Sequence, residues 1–341
     1  MSDIAAALGV SKNAVSLALR NDSQIPQHTR ERVLETARRL GYERNPALGR
    51  VMSMMRKRGA SGSLGNLAVF NANQDRDAFR THPTIPNYLR GCRDRADALG
   101  YALDTFWLYE GGMSGERWLE ILQSRGVLGV LFIGLMRANR LPEFIRPVID
   151  AFPCMVTGVR TREPELSFAS VDHHILALRA YEKALELGYK RPGLVLDGEI
   201  DELVDRRFSA GYRAGQSYVE PDCRIEPFTD LRSAGSRPEL FREWMEKEKP
   251  DLIFTLYNVV RRWLGELGIR VPDDVALVQL EWRDGHPEWA GMNQHNDLTG
   301  AVAVDMLLGM IHNGERGVPP VPRATLIGPT WMDGDTVRKG A

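Results

Sequence analysis

The chain has 341 residues, 43% hydrophobic and 26% charged, with a formal net charge of −1, the balance of a globular protein with room for two or three cored domains. No apolar run approaches the roughly 20 residues that span a bilayer. Three widely scattered cysteines, Cys92, Cys154 and Cys223, exclude a disulfide framework and fit a reducing compartment. The opening stretch is polar and lacks the hydrophobic segment of an export signal, so the expected location is the cytoplasm.

From Ser2 to Arg20 the sequence predicts two short helices joined at Gly9, the outline of a helix-turn-helix. Gly9 suits the left-handed position that ends a helix, and Ser11 suits the cap of the next one. Ile4 and Leu8 share one face of the first helix, and Val15 and Leu19 share one face of the second. His28 to Leu40 is a third amphipathic stretch, opened by Pro26, with Val33, Leu34, Ala37 and Leu40 at helical spacing among arginines. An ordinary helical hairpin is the plain alternative, but charge argues against it. Residues 1–58 hold eleven Lys or Arg against five Asp or Glu, a net of +6, while the remainder carries −7. Such segregation points to a nucleic-acid contact at the basic end.

Residues 45–58 make a marginal short helix, and Gly59 to Gly65 read as a flexible linker. The expected division is a head at 1–44, a hinge helix and linker at 45–63, and a large body at 64–341. In the body, strands are expected at Leu67–Phe70, Ala102–Leu108, Val127–Ile133, Met155–Val159, Gly193–Leu196, Leu252–Leu256 and Val275–Leu280. Helices fall between them at Tyr88–Leu99, Trp118–Arg125, Ile175–Leu187, Phe208–Tyr218 and Pro238–Glu248. This alternation predicts parallel sheets with helices on both faces, and the length suits two lobes with a ligand cleft beyond the strand ends. No nucleophile elbow, phosphate-binding glycine loop or metal-ligand spacing stands in the sequence, so no catalytic residue, cofactor or metal is expected. The adjacent pair His173 and His174 reads as pocket rim or surface.

The motifs Asp3-Ile4-Ala5, Gly9-Val10-Ser11-Lys12, Val15-Ser16, Thr29-Arg30-Glu31-Arg32-Val33 and Leu40-Gly41-Tyr42, followed by Asn45, resemble the head of LacI/GalR-family transcriptional regulators. Further along, Arg95 to Tyr101, Val171-Asp172, Leu187 to Arg191 and Val271 to Val275 continue the resemblance in the family's order. It implies an all-α helix-turn-helix domain followed by a two-lobed α/β body of periplasmic-binding-protein type. It also implies a homodimer that reads a near-palindromic operator and responds to a small-molecule effector, with repression as the usual outcome. By this likeness Lys12, Asn13 and Ala14 face base edges, while Ser11, Ser16, Thr29 and Asn45 hold phosphates. Leu17 stands where the family often has arginine, with Arg20 as the compensating cation. The segment 45–56 resembles a hinge helix that wedges an apolar side chain into the minor groove; Leu48, Val51 and Met52 are the candidates, or these residues simply pack on the body.

For the effector, matched positions imply Asp172, Asn258, Glu281 and Gln294, with Tyr88 and Trp282 as rings to stack on a sugar-like ligand. The family's clamping arginine is replaced by Phe208, leaving its neighbour Arg207 to reach instead, and this puts a simple sugar in doubt. Crossovers near 190–192 and near Gln294 imply lobes made of 64–190 with 293–322, and 191–292 with 323–341. The competing reading, a solute-binding protein of the same body fold with no DNA role, leaves the basic head without a purpose.

Overall fold

The computed structural model describes residues 2–19, 25–39 and 63–338. Arg20, Asn45 and the hinge candidates Leu48, Val51 and Met52 lie outside the described residues. The chain divides into two units, Met1–Leu64 and Gly65–Ala341.

In the first unit, helix α1 (Ser2–Leu8) stops because Gly9 takes a left-handed φ of +64°, which a side chain would resist. Helix α2 (Lys12–Leu19) begins after Ser11, whose Oγ accepts the Ala14 N–H at 3.1 Å. Helix α3 (Gln27–Arg39) follows Pro26. Ile4, Val15, Ala18, Val33 and Ala37 bury together, with Leu8, Val10 and Ile25 against them. Leu34 departs from expectation: it is 41% exposed, because Val33, Thr36 and Ala37 form the inward stripe of α3.

The second unit opens with β1 (Asn66–Asn71), β2 (Ala102–Trp107), β3 (Val127–Ile133), β4 (Cys154–Thr157) and β5 (Ser167–Val171), separated mainly by the helices Ile85–Ala98, Gly115–Ser124 and Arg146–Ala151. Then come helix His173–Glu186, β6 (Pro192–Val195), β7 (Leu252–Thr255), β8 (Ala276–Gln279), β9 (Ala290–Asn293), helix Asn296–Asn313, β10 (Ala324–Ile327) and β11 (Thr330–Met332). Among the described residues these form a six-stranded sheet in the order β10-β5-β4-β3-β1-β2 and a five-stranded one in the order β11-β9-β8-β7-β6. Pairing is parallel, with Val69 opposite Leu131 and Leu252 opposite Ala276, except for the antiparallel β11 on β9. Inner strands β3 and β4 are apolar almost throughout because helices cover both faces, while edge strand β2 is half exposed.

The seven strands expected from sequence are present to within two residues at either end; β5, β9, β10 and β11 are additional. Those four are short, and Ser, Ala, Gly and Asn dilute their apolar signal. The first crossing between lobes falls at Asp172, not near 190–192. Helix His173–Glu186 already belongs to the second lobe, its buried Ala177, Ala180, Tyr181 and Ala184 facing helix Arg207–Gly215, with the Tyr181 and Tyr212 rings 5.6 Å apart. The last crossing falls near Gly328, not at 323, because β10 pairs with β5 in the first sheet. No described helix is long and apolar enough to cross a membrane.

Candidate DNA-reading head and ligand cleft

In the head, Lys12, Asn13 and Ala14 occupy the first turn of α2, and Ser16 and Leu17 the next. The Ser11 hydroxyl oxygen is engaged in the cap, which leaves its proton as the group it can offer outward. Leu17 is half-buried, and Thr29 Oγ1 lies 3.1 Å from His28 Nε2 on α3. The turn and the three-way apolar contact hold the start of α2 at a fixed angle to α3, as a groove-reading helix requires.

In the body, loops leaving the carboxyl ends of both sheets enclose a cleft of about 410 Å³, a volume ordinary for a small-ligand site. Tyr88 comes from helix Ile85–Ala98, Thr157 and Gly158 from the end of β4, Tyr257 and Asn258 from beyond β7, and Glu281 from beyond β8. Glu281 is 8% exposed; one carboxylate oxygen accepts from Arg283 at 2.9 Å and the other from Asn296 Nδ2 at 3.2 Å. Gln294 donates to the Leu280 carbonyl at 2.9 Å, and Asn258 Oδ1 accepts from Gln279 at 2.8 Å. Thr157 Oγ1 and Arg283 Nε are buried without a hydrogen-bond partner among the described residues.

Two imidazoles line the cleft: His173, read from the sequence as pocket rim or surface, and His82, which the sequence did not mark. His173 is held down to about 3, first by burial and then by the Arg207 guanidinium, against the opposing pull of Asp172. His82 is also lowered, chiefly by burial, with Arg283 lowering it further while Glu281 and Asp75 raise it. Its Nδ1 accepts the backbone N–H groups of Thr84 and Ile85 at 3.1 and 3.3 Å, so the neutral ring carries its proton on Nε2. Burial, then the nearby Glu281 charge, raises the Tyr88 phenol, which stays protonated.

Tyr88, Asn258, Glu281 and Gln294 thus stand in the cleft lining, whereas three other expected positions do not. Asp172 caps helix His173–Glu186 by accepting the Ile175 N–H at 3.3 Å, and it also accepts from Arg207 at 2.8 Å. Arg207 is thus paired with Asp172 and stands outside the lining. Trp282 Nε1 donates to the Trp289 carbonyl at 3.1 Å, and the half-buried ring is absent from the lining. Phe208 does line the cleft, with its ring 4.7 Å from that of His173. His82, Met136 and Tyr257 had no local signal: they sit on loops whose spacing carries no periodicity.

Comparison with known proteins gives two family matches. Residues 1–45 match the family described as bacterial regulatory proteins, lacI family, and residues 181–337 match the periplasmic binding protein-like domain. The chain is 25% identical over 331 residues to the HTH-type transcriptional regulator CelR of Thermobifida fusca, covering 93% of this chain and 92% of that one. It is 24% identical over 352 residues to the HTH-type transcriptional regulator GntR of Escherichia coli strain K12, covering 99% and 98% respectively. Its fold matches that of a CelR–cellobiose complex with a TM-score of 0.56 at 20% identity, over 98% of each chain. It also matches the Lac repressor bound to ONPG, with a TM-score of 0.59 at 18% identity, again over 98% of each.

Proposed function

We propose, since the chain belongs to the lacI family of bacterial regulatory proteins, that this transcriptional regulator is a cytoplasmic repressor acting as a homodimer on a near-palindromic operator. The observation that carries the reading is the joining of a basic helix-turn-helix, its turn set by Gly9 and Ser11, to a two-lobed body with an open cleft lined from both lobes. In it Lys12, Asn13 and Ala14 read bases, and Ser11, Ser16, Thr29 and Asn45 position the phosphate backbone. The hinge residues Leu48, Val51 and Met52 complete the operator contact. The cleft takes a small-molecule effector, and Glu281, Asn258, Gln294 and Tyr88 supply contacts to it. The protein acts by binding and carries out no catalysis.

An effector acts only through unequal affinity for two arrangements of the lobes. Three chain crossings join the lobes, so a ligand touching both walls favours the arrangement that brings them together. The resulting coupling to DNA is expected at about 1–3 kcal/mol, or roughly 5–150-fold in operator affinity.

The test is a fluorescence-anisotropy titration of the full chain against DNA from upstream of its own gene. Affinity is expected to fall by about 10³-fold or more between roughly 50 and 200 mM salt if six or more phosphates are contacted. Binding indifferent to salt removes the head from DNA recognition.

A further inference from the structure

The walls of the cleft say more about the ligand than its volume does. Leu135, Met136 and Val159 of the first lobe face Leu203, Phe208 and Leu256 of the second, so the interior is apolar on both sides. Most of the polar side chains on the lining are already engaged, while Thr157 Oγ1 and Arg283 Nε are buried without a partner among the described residues. Glu281 accepts from Arg283 and Asn296, Gln294 donates to a backbone carbonyl, and Asn258 holds Gln279. Arg207, the cation on the helix beside the cleft, is paired with Asp172 at 2.8 Å and lies outside the lining. His82 and His173 are neutral near pH 7, and the Glu281 and Arg283 charges cancel.

We propose that the cleft selects a neutral hydroxylated ligand carrying an aryl or alkyl group, in preference to a bare sugar or an anion. This rests on the reading of the cleft as the effector site. A bare sugar presents hydroxyls around its whole rim. Against Leu203, Phe208 and Met136 those hydroxyls lose water and gain no partner, a penalty of about tenfold in affinity for each one left unpaired. An aryl or alkyl group gains from the same walls by leaving water. The hydroxylated edge turns to Glu281, whose carboxylate keeps lone pairs beyond the two in use, and to the His82 Nε2–H. An added anionic group meets no free cation on the adjacent helix, because Arg207 is already neutralised.

Isothermal titration of the full-length protein with matched probes tests this: glucose, galactose and xylose, their phenyl glycosides, and phenyl glucuronide as the anionic member. At least one phenyl glycoside is expected to bind about tenfold or more tightly than its parent sugar, by the penalty above, and more tightly than phenyl glucuronide. Met136→Gln, at a half-buried wall position, is expected to erase most of that preference without moving the melting temperature. Parent sugars binding as tightly as their phenyl glycosides, with Glu281→Gln abolishing both, overturn the proposal and leave the effector site standing. Failure of every probe to bind also overturns it. Phenyl glycoside binding unchanged in both Met136→Gln and Glu281→Gln overturns it together with the reading of the cleft as effector site.

Discussion

Glu281 joins two side chains at the cleft, Arg283 and Asn296, and its value lies in what it leaves behind if removed. Glu281→Ala strips the acceptor from Arg283 and Asn296, both largely covered, so two donors lose their bonds at once. The expected loss is about 2 kcal/mol, by the usual cost of deserting buried donors, read as a lower midpoint in urea unfolding. Glu281→Gln keeps an acceptor and should cost less than half as much. His173 makes a second, pH-dependent prediction. Its folded pKa of about 3 lies below the unfolded value, so the unfolded chain binds a proton between the two and the folded chain does not. Stability from this group is therefore complete above about pH 6.5 and is lost progressively as pH falls toward about 3. The slope is roughly 1.4 kcal/mol per pH unit once the unfolded imidazole is charged. Thermal melts from pH 7 to 4.5 should fall less steeply for His173→Gln than for the native chain. Equal slopes in the two proteins would show that His173 does not carry the effect.

At the scale of elements, the contact between helices Ile85–Ala98 and Asn296–Asn313 holds Tyr88 in place. The backbones cross so closely that a Cβ on Gly91 would sit 1.8 Å from the Asp297 carbonyl oxygen, and one on Gly300 would sit 2.1 Å from that of Tyr88. Cys92 Sγ donates to the Gly300 carbonyl at 3.3 Å inside the same contact. Gly300→Ala must therefore push the helices apart, at about 1–3 kcal/mol of overpacking strain, and shift the ring of Tyr88 with them. Gly309, on the same helix, has open space where a Cβ would sit. Gly309→Ala is expected to be neutral or to stabilise by about 0.5–1 kcal/mol through helix propensity. Circular-dichroism unfolding of the two variants side by side checks the contrast; equal behaviour would mean that the crossing is not tight. Helix Asn296–Asn313 was itself absent from the sequence expectation. It is apolar or small on nearly every side, with Ala303, Val304, Leu307 and Leu308 buried, so no polar stripe marks its period.

At the scale of the whole molecule, two contacts tie the lobes together at the rim of the cleft. Asn139 Nδ2 donates to the Leu203 carbonyl at 2.9 Å, and Arg162 meets Asp205 at 2.7 Å. Both members of the ion pair are partly in solvent, so it is worth at most about 1 kcal/mol. Asp205→Ala is accordingly expected to weaken ligand binding by no more than about fivefold and to shift operator affinity without ligand by no more than the same factor. Small-angle scattering should show a slightly larger body for the variant; an unchanged profile and affinity would show that the tie does not favour closure. In the head, the excess of +6 over residues 1–58 belongs to the same scale, since it acts on DNA as a field summed over many side chains.

Local signals along the chain were enough for the head: a glycine able to turn left-handed, a serine able to cap, and apolar residues three and four apart specify short helices within a few residues of themselves. The same holds for inner strands such as β3 and β4, whose burial on both faces demands unbroken apolar runs. The lining of the cleft depends on the tertiary structure, because Tyr88, Phe208 and Glu281 reach it from elements far apart in the chain. So does the absence of Arg207 and Trp282 from it: Arg207 bonds to Asp172, 35 residues earlier in the chain, and Trp282 to the Trp289 carbonyl. Sequence spacing sets which side chains share a face. Which way a charged or aromatic group turns is decided by the partner that folding brings within hydrogen-bond reach.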